Sequence, residues 1–115
     1  MNVIIAGSRS ITDLSVIRKA VADSRFDIDI IVSGCAPGVD STAEALATEL
    51  HAYIRRFPAD WKKFGKRAGY LRNTQMAEYA DALIAIWDGK SPGTKHMLNI
   101  AKKHDLEVHL HIVTT

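Results

Sequence analysis

The sequence predicts a doubly wound α/β fold, a Rossmann-like parallel sheet of five strands in the order 3-2-1-4-5 with helices on both faces. Three observations carry this prediction. Runs of apolar, β-branched residues alternate along the chain with stretches whose apolar residues recur every three or four positions. Each helical stretch is long enough to cross over between parallel strands, and such crossovers are right-handed. Glycine or proline breaks the chain where strand gives way to helix, at Gly7, Gly34, Pro37, Pro58 and Gly89.

The elements follow in order. Asn2 to Ala6 reads as a strand buried on both faces. Thr12 is placed to cap a helix running to about Ser24, with Leu14, Ile17 and Val21 on one stripe. Asp27 to Ser33 is the second strand, and a helix from Val39 carries Ala43, Leu46, Ala47 and Leu50 inward. Ala52 to Phe57 is a short third strand. A basic, aromatic loop leads to a helix from Gly69 to Ala80 whose Leu71, Thr74 and Ala77 share a face. Ala82 to Trp87 is the fourth strand, Thr94 to His104 a helix with Met97, Ile100 and Ala101 inward, and Glu107 to Val113 the fifth strand. There His109 and His111 alternate with Val108, Leu110 and Ile112, so one face is polar and the strand belongs at a sheet edge.

A chain of 115 residues suits one domain over residues 1–115, and 47% hydrophobic with 24% charged residues is the composition of a folded globule. The lone Cys35 makes no internal disulfide, and no apolar run nears the roughly 20 residues of a membrane span, so a cytoplasmic protein without a membrane partner is expected. The net charge of +2 is too mild to imply nucleic-acid binding. Its distribution says more. Seven of the fifteen Lys and Arg fall between Arg55 and Arg72, opposed only by Asp60 and interleaved with Phe57, Trp61, Phe64 and Tyr70. Either this run meets an anionic partner, such as single-stranded nucleic acid, or it is a solvated basic loop.

In an open parallel sheet, ligands bind beyond the carboxyl ends of the strands where the strand order reverses, here between the first and fourth strands. Gly7-Ser8-Arg9, Ser33-Gly34 with Gly38-Val39-Asp40, and Gly93-Thr94 each lie between a strand end and a helix start, where free amides and the helix dipole favour an anion. A dipole contributes only about 0.3–1 kcal/mol, so tight phosphate binding needs several charge-assisted bonds, for which Arg9, Arg72, Ser91 and Lys95 are available. Neither a G-x-G-x-x-G fingerprint after the first strand nor a Walker loop is present, and no cofactor is implied.

These residues, together with Phe57-Pro58-Ala59-Asp60-Trp61 and Arg72-Asn73, resemble in order and spacing the YspA, cpYpsA-related branch of the SLOG superfamily. The resemblance implies a Rossmann-like fold and a nucleotide or nucleotide-derived ligand. It also brings two relatives to bear: the Lonely Guy phosphoribohydrolases, which cleave the N-glycosidic bond of nucleoside monophosphates, and the Smf/DprA DNA-processing proteins. The hydrolase pattern P-G-G-x-G-T-x-x-E would fall on Gly89 to Met97. Gly93-Thr94 are kept, Lys90-Ser91 replace the paired glycines, and Met97 stands where the glutamate would be. A thioether moves no proton, so glycosidic hydrolysis would need Asp40, Glu44 or Asp88 as its carboxylate.

Asp40 also suits a purely structural cap in the first turn of its helix, and an exposed helical arginine such as Arg72 is often only solvated. Trp61 and Trp87 are candidates to stack on a base. Cys35 reads as packing, His51 and His104 as helix ends, and His109 with His111 lack a third ligand, so no metal is expected. The expected function is binding of a nucleotide or nucleotide-sugar. Phosphate would lie over Gly7 to Arg9, Gly34 to Asp40 and Gly93-Thr94, with the base near a tryptophan. A glycosidase and a single-stranded nucleic-acid binder are the alternatives, and a homodimer the expected assembly.

Overall fold

A computed structural model describes residues 1–114. Its centre is the pair β1 (Asn2–Gly7) and β4 (Ala82–Trp87), parallel neighbours with Ile5 beside Ile84. On one side lie β2 (Ile30–Ser33) and β3 (Tyr53–Arg56), on the other β5 (Glu107–Ile112), in the order β3-β2-β1-β4-β5. All four pairings are parallel. β4, and β1 beyond Asn2, are apolar because both their faces are covered. Val3, Ile5, Ile31, Ile84 and Ile86 point into one core, beneath α1 (Leu14–Ser24) and α2 (Val39–Ala43). Ile4, Val32, Leu83 and Ala85 point into the other, beneath α5 (Ala68–Tyr79) and α6 (Pro92–Lys103).

Several boundaries differ from the sequence expectation, each for a local reason. Asp13, not Thr12, caps α1, its carboxylate accepting from the Ser15 amide at 2.9 Å. The helix expected from Val39 onward is broken after α2 by a 3-10 turn, Glu44–Leu46, before α3 (Ala47–Leu50). Residues i and i+3 eclipse in such a turn, which stacks the buried Leu46 under the buried Ala43. The aromatic loop holds a four-residue helix, α4 (Trp61–Phe64), capped by Asp60 accepting from the Lys63 amide. In α5 the inward stripe runs through Asn73, Met76 and Ala77, while Leu71 is exposed. At 100° per residue Leu71 stands about 140° round from Met76. α6 starts at Pro92, where a missing N–H costs nothing. β5 is an edge strand, as its alternation implied, but α6 covers only Val108 of its apolar face and leaves Leu110 and Ile112 exposed. No helix among the described residues is long and apolar enough to cross a membrane.

Candidate functional site

The connections from β1 and β4 leave in opposite directions, and the gap between them at the carboxyl ends of these strands is a cleft of about 420 Å³. Four segments line it: Gly7 and Arg9 after β1, Asp40 on α2, Arg72 and Asn73 on α5, and Gly93 with Thr94 on α6. Ala6, Met76 and Met97 add an apolar surface.

Two glycines let the turns come this close. A Cβ on Gly7 would stand 2.0 Å from the Ile86 carbonyl oxygen, and one on Gly38 would stand 2.4 Å from that of Arg9, where φ is also +86°. Ser8, fully buried beneath them, is a fastener. Its amide donates to the Ile86 carbonyl at 3.1 Å, its carbonyl accepts from Ile11 and Val39, and its hydroxyl accepts from the Asp88 amide at 3.0 Å. Ser91 donates to the same hydroxyl at 3.1 Å. The amides of Ser91 and Lys90 in turn hold the Asp88 carboxyl down at about 2. Ser8 and Asp88 therefore set the shape of the β4–α6 turn rather than facing a ligand.

Asp40 is 4% exposed. Burial pushes its carboxyl up to about 6, against the pull of Arg72 and of the Ala36, Gly7 and Gly34 amides. Gly34 lies where the pair meets, since a Cβ there would stand 2.7 Å from Asp40 Oδ2 and 3.0 Å from Arg72 Nη1. Arg72 is held at two points: Nη1 donates to the Gly34 carbonyl at 2.5 Å and Nε to Asn73 Oδ1 at 3.0 Å. Burial lowers its pKa and the Asp40 charge partly restores it. Asn73, also buried, points its Nδ2 at the Gly93 carbonyl, 3.5 Å away, and at His96 Nδ1, 3.1 Å away.

At the start of α6, Ser91 makes no capping bond with its side chain, and the amides of Gly93 and Thr94 have no partner among the described residues. The space beside Gly93 is open. Arg9 is exposed, and its side chain makes neither hydrogen bond nor ion pair among the described residues.

The remaining expected site residues lie elsewhere. Ser33 donates to Glu44 Oε2 at 2.8 Å, and Glu44 Oε1 accepts from Arg56 at 2.7 and 2.9 Å, a chain turned away from the cleft. Gly34 and Val39 support the wall from behind. Trp61 is half exposed and lies against Gly69, outside the cleft lining, and Trp87 donates its indole N–H to the Ser91 carbonyl. Among the described residues no three His, Cys, Asp or Glu side chains are grouped to hold a metal. Met76 and His96 went unnoticed in the sequence. Each stands three positions beyond an expected site residue, Asn73 and Gly93, on the same helix face, which is the signal that would have found them.

A family model described as the YspA, cpYpsA-related SLOG family matches residues 1–64. The match spans the turns after β1 and β2 and stops short of Arg72 and Gly93. The Gene 61 protein of Mycobacterium phage D29 is similar along almost the whole chain, at 34% identity over 122 aligned residues covering 92% of each protein. No solved structure matches.

Proposed function

The chain belongs to the YspA, cpYpsA-related SLOG family, whose link is to nucleotide binding or processing, and on that premise we propose that its cleft binds a nucleotide or nucleotide-sugar by the phosphate. The observation that carries this is the unpartnered pair of amides at Gly93 and Thr94, opening on a cleft flanked by two guanidinium groups, Arg9 and Arg72. Because the Asp40 carboxylate lies against Gly34, where it would repel a second anion, the phosphate belongs at the start of α6 and not spread over all three turns. Each arginine contact with phosphate, a charge-assisted bond, is worth roughly 1.5–3 kcal/mol against about 0.3–1 for the helix dipole, so the arginines dominate affinity.

Titration calorimetry and thermal melting with AMP, ADP-ribose and a cyclic nucleotide test this reading. A melting temperature that climbs with ligand concentration is expected. Arg9→Ala, which removes no internal bond, should weaken the bound ligand about tenfold or more. A melting temperature unmoved by the whole panel overturns the reading.

A second reading, N-glycosidic hydrolysis of a nucleotide, draws support from Asp40 alone: a carboxyl in the cleft wall with its pKa at about 6 is able to give and take a proton near neutrality. Release of free adenine from AMP, lost in Asp40→Asn, is the expected result, and no release above background removes it. Nucleic-acid binding draws less support, because Arg55 already lies over the Phe57 and Tyr79 rings at 4.6 and 5.7 Å. Exposed Leu110 and Ile112 on edge strand β5 support pairing with a second copy of the chain.

A further inference from the structure

We infer that His96, which does not line the cleft, is a positioning residue of the anion site: through Asn73 it fixes the direction in which Arg72 presents its guanidinium. The inference rests on the phosphate reading above for its purpose, and on hydrogen-bond logic for its content.

Arg72 Nε has only a hydrogen to offer, so the Asn73 atom 3.0 Å from it is the oxygen. The Gly93 carbonyl only accepts, so the other arm of the amide, directed toward it, is the nitrogen. Both constraints fix the same orientation. That nitrogen lies 3.1 Å from His96 Nδ1, which must therefore accept. An imidazole accepting at Nδ1 carries its single hydrogen on Nε2 and is neutral. The ring is stacked against Tyr70, with centroids 4.2 Å apart, which limits its freedom to turn away.

The groups around His96 agree. α5 presents Tyr70, Asn73 and, behind Asn73, the Arg72 cation, while its own helix presents Lys103. Burial and the Lys103 charge both push the His96 pKa below its ordinary value. A proton added at Nδ1 would confront the Asn73 NH2 group. If the amide turned over, its N–H would meet the Arg72 Nε–H and its oxygen the Gly93 carbonyl oxygen. If the ring swung out, it would leave Tyr70. On the first path Arg72 loses an anchor and keeps only the Gly34 carbonyl, and on the second Asn73 loses the acceptor that steadies it and so holds Arg72 less firmly.

The decisive experiment is nitrogen-15 NMR on the full, ligand-free chain, paired with AMP binding. Above neutral pH, His96 should show a bare Nδ1 and a protonated Nε2, and the Arg72 Nε–H should give a resolved signal that fades as His96 titrates. The charge of Asp40 also acts on Arg72, and Asp40 titrates at about 6, so the His96→Asn variant separates them: its side-chain oxygen replaces Nδ1 as acceptor without titrating, and the Arg72 signal should persist to lower pH. In His96→Ala the signal should weaken at every pH. AMP should bind about tenfold more weakly to His96→Ala, the loss of one oriented charge-assisted contact, and recover in His96→Asn. A proton on Nδ1 above neutral pH, an Arg72 signal indifferent to His96→Ala, or AMP affinity unchanged in that variant overturns the inference. If AMP fails to bind the unaltered chain, the phosphate reading falls, and the NMR alone still decides whether His96 governs Arg72.

Discussion

Asp40 and Glu44 stand four residues apart, on what the sequence presents as one helix, and the fold gives them opposite surroundings. Asp40 is buried in the cleft wall against Arg72, and its carboxyl is pushed up to about 6. Glu44 lies past the break into the 3-10 turn, where it holds Ser33 and the largely exposed Arg56 on the other side of the same segment. Each carboxylate has an arginine near it, Glu44 in a direct ion pair with Arg56 and Asp40 under the attraction of Arg72. Asp40 has left water almost completely, and its desolvation is what makes it an acid able to exchange a proton near neutrality.

The largest effect that would test this contrast is expected from Arg72→Met, which strands the Asp40 charge. At about pH 8 the variant should lose roughly 2–4 kcal/mol in urea unfolding, somewhat less than breaking a fully dry pair, because Arg72 keeps part of its surface in water. At about pH 5 most of the Asp40 population is protonated and the loss should shrink to about 1–2 kcal/mol, the missing donors to the Gly34 carbonyl and to Asn73 Oδ1. Equal losses at both pH values would break the comparison.

Smaller and of opposite sign is Asp40→Asn. A carboxyl whose pKa rises on folding binds its proton more tightly in the folded chain. It therefore costs nothing below 3.8, the ordinary value for an aspartate, and the full penalty above about 6. Asp40→Asn should accordingly stabilise the chain by about 1–3 kcal/mol at about pH 8, with the gain vanishing on acidification. Glu44→Gln is its control: a change of about 1 kcal/mol or less at about pH 8, since Arg56 in its pair is largely exposed. A gain in Glu44→Gln as large as that in Asp40→Asn, or none in Asp40→Asn, would mean that the two carboxylates do not differ in the way their burial indicates.

The sheet was legible in the sequence because unbroken apolar runs and half-polar edges are signals carried by neighbouring residues. The strand order and the cleft at the β1–β4 gap, with Gly7, Arg9, Asp40, Gly93 and Thr94 lining it, follow from that reading, whereas Arg72 and Asn73 were placed there by the family resemblance. Ser33 was drawn into the candidate site as part of the turn after the second strand and Glu44 as a substitute carboxylate, but the chain breaks into a 3-10 turn at Glu44, which carries both side chains to a different side of the segment. Leu71 misled for a related reason: the inward stripe of α5 contains the polar Asn73, which hydropathy alone places outside. The Asn73–His96 contact joins two helices at residues 23 positions apart and depends on how α5 packs on α6, which no local pattern encodes. Trp61 promised a stacking platform, but the Asp60 cap winds it into a short helix beside Gly69 instead.

That β1 lies against β4 in the sheet, with β2 and β3 on its far side, has a consequence for how the molecule comes into being. The two sides of the cleft are contributed by residues 7–9 and 91–94, so the cleft closes only when the last third of the chain has joined the first strand. A growing polypeptide would hold Arg9 for most of its synthesis with nothing opposite it, and no early fragment would possess a rudimentary version of the cleft. Occupancy of the cleft would thus report complete assembly, and any molecule that bridges its sides would act as a clasp on the whole domain rather than on one of its parts.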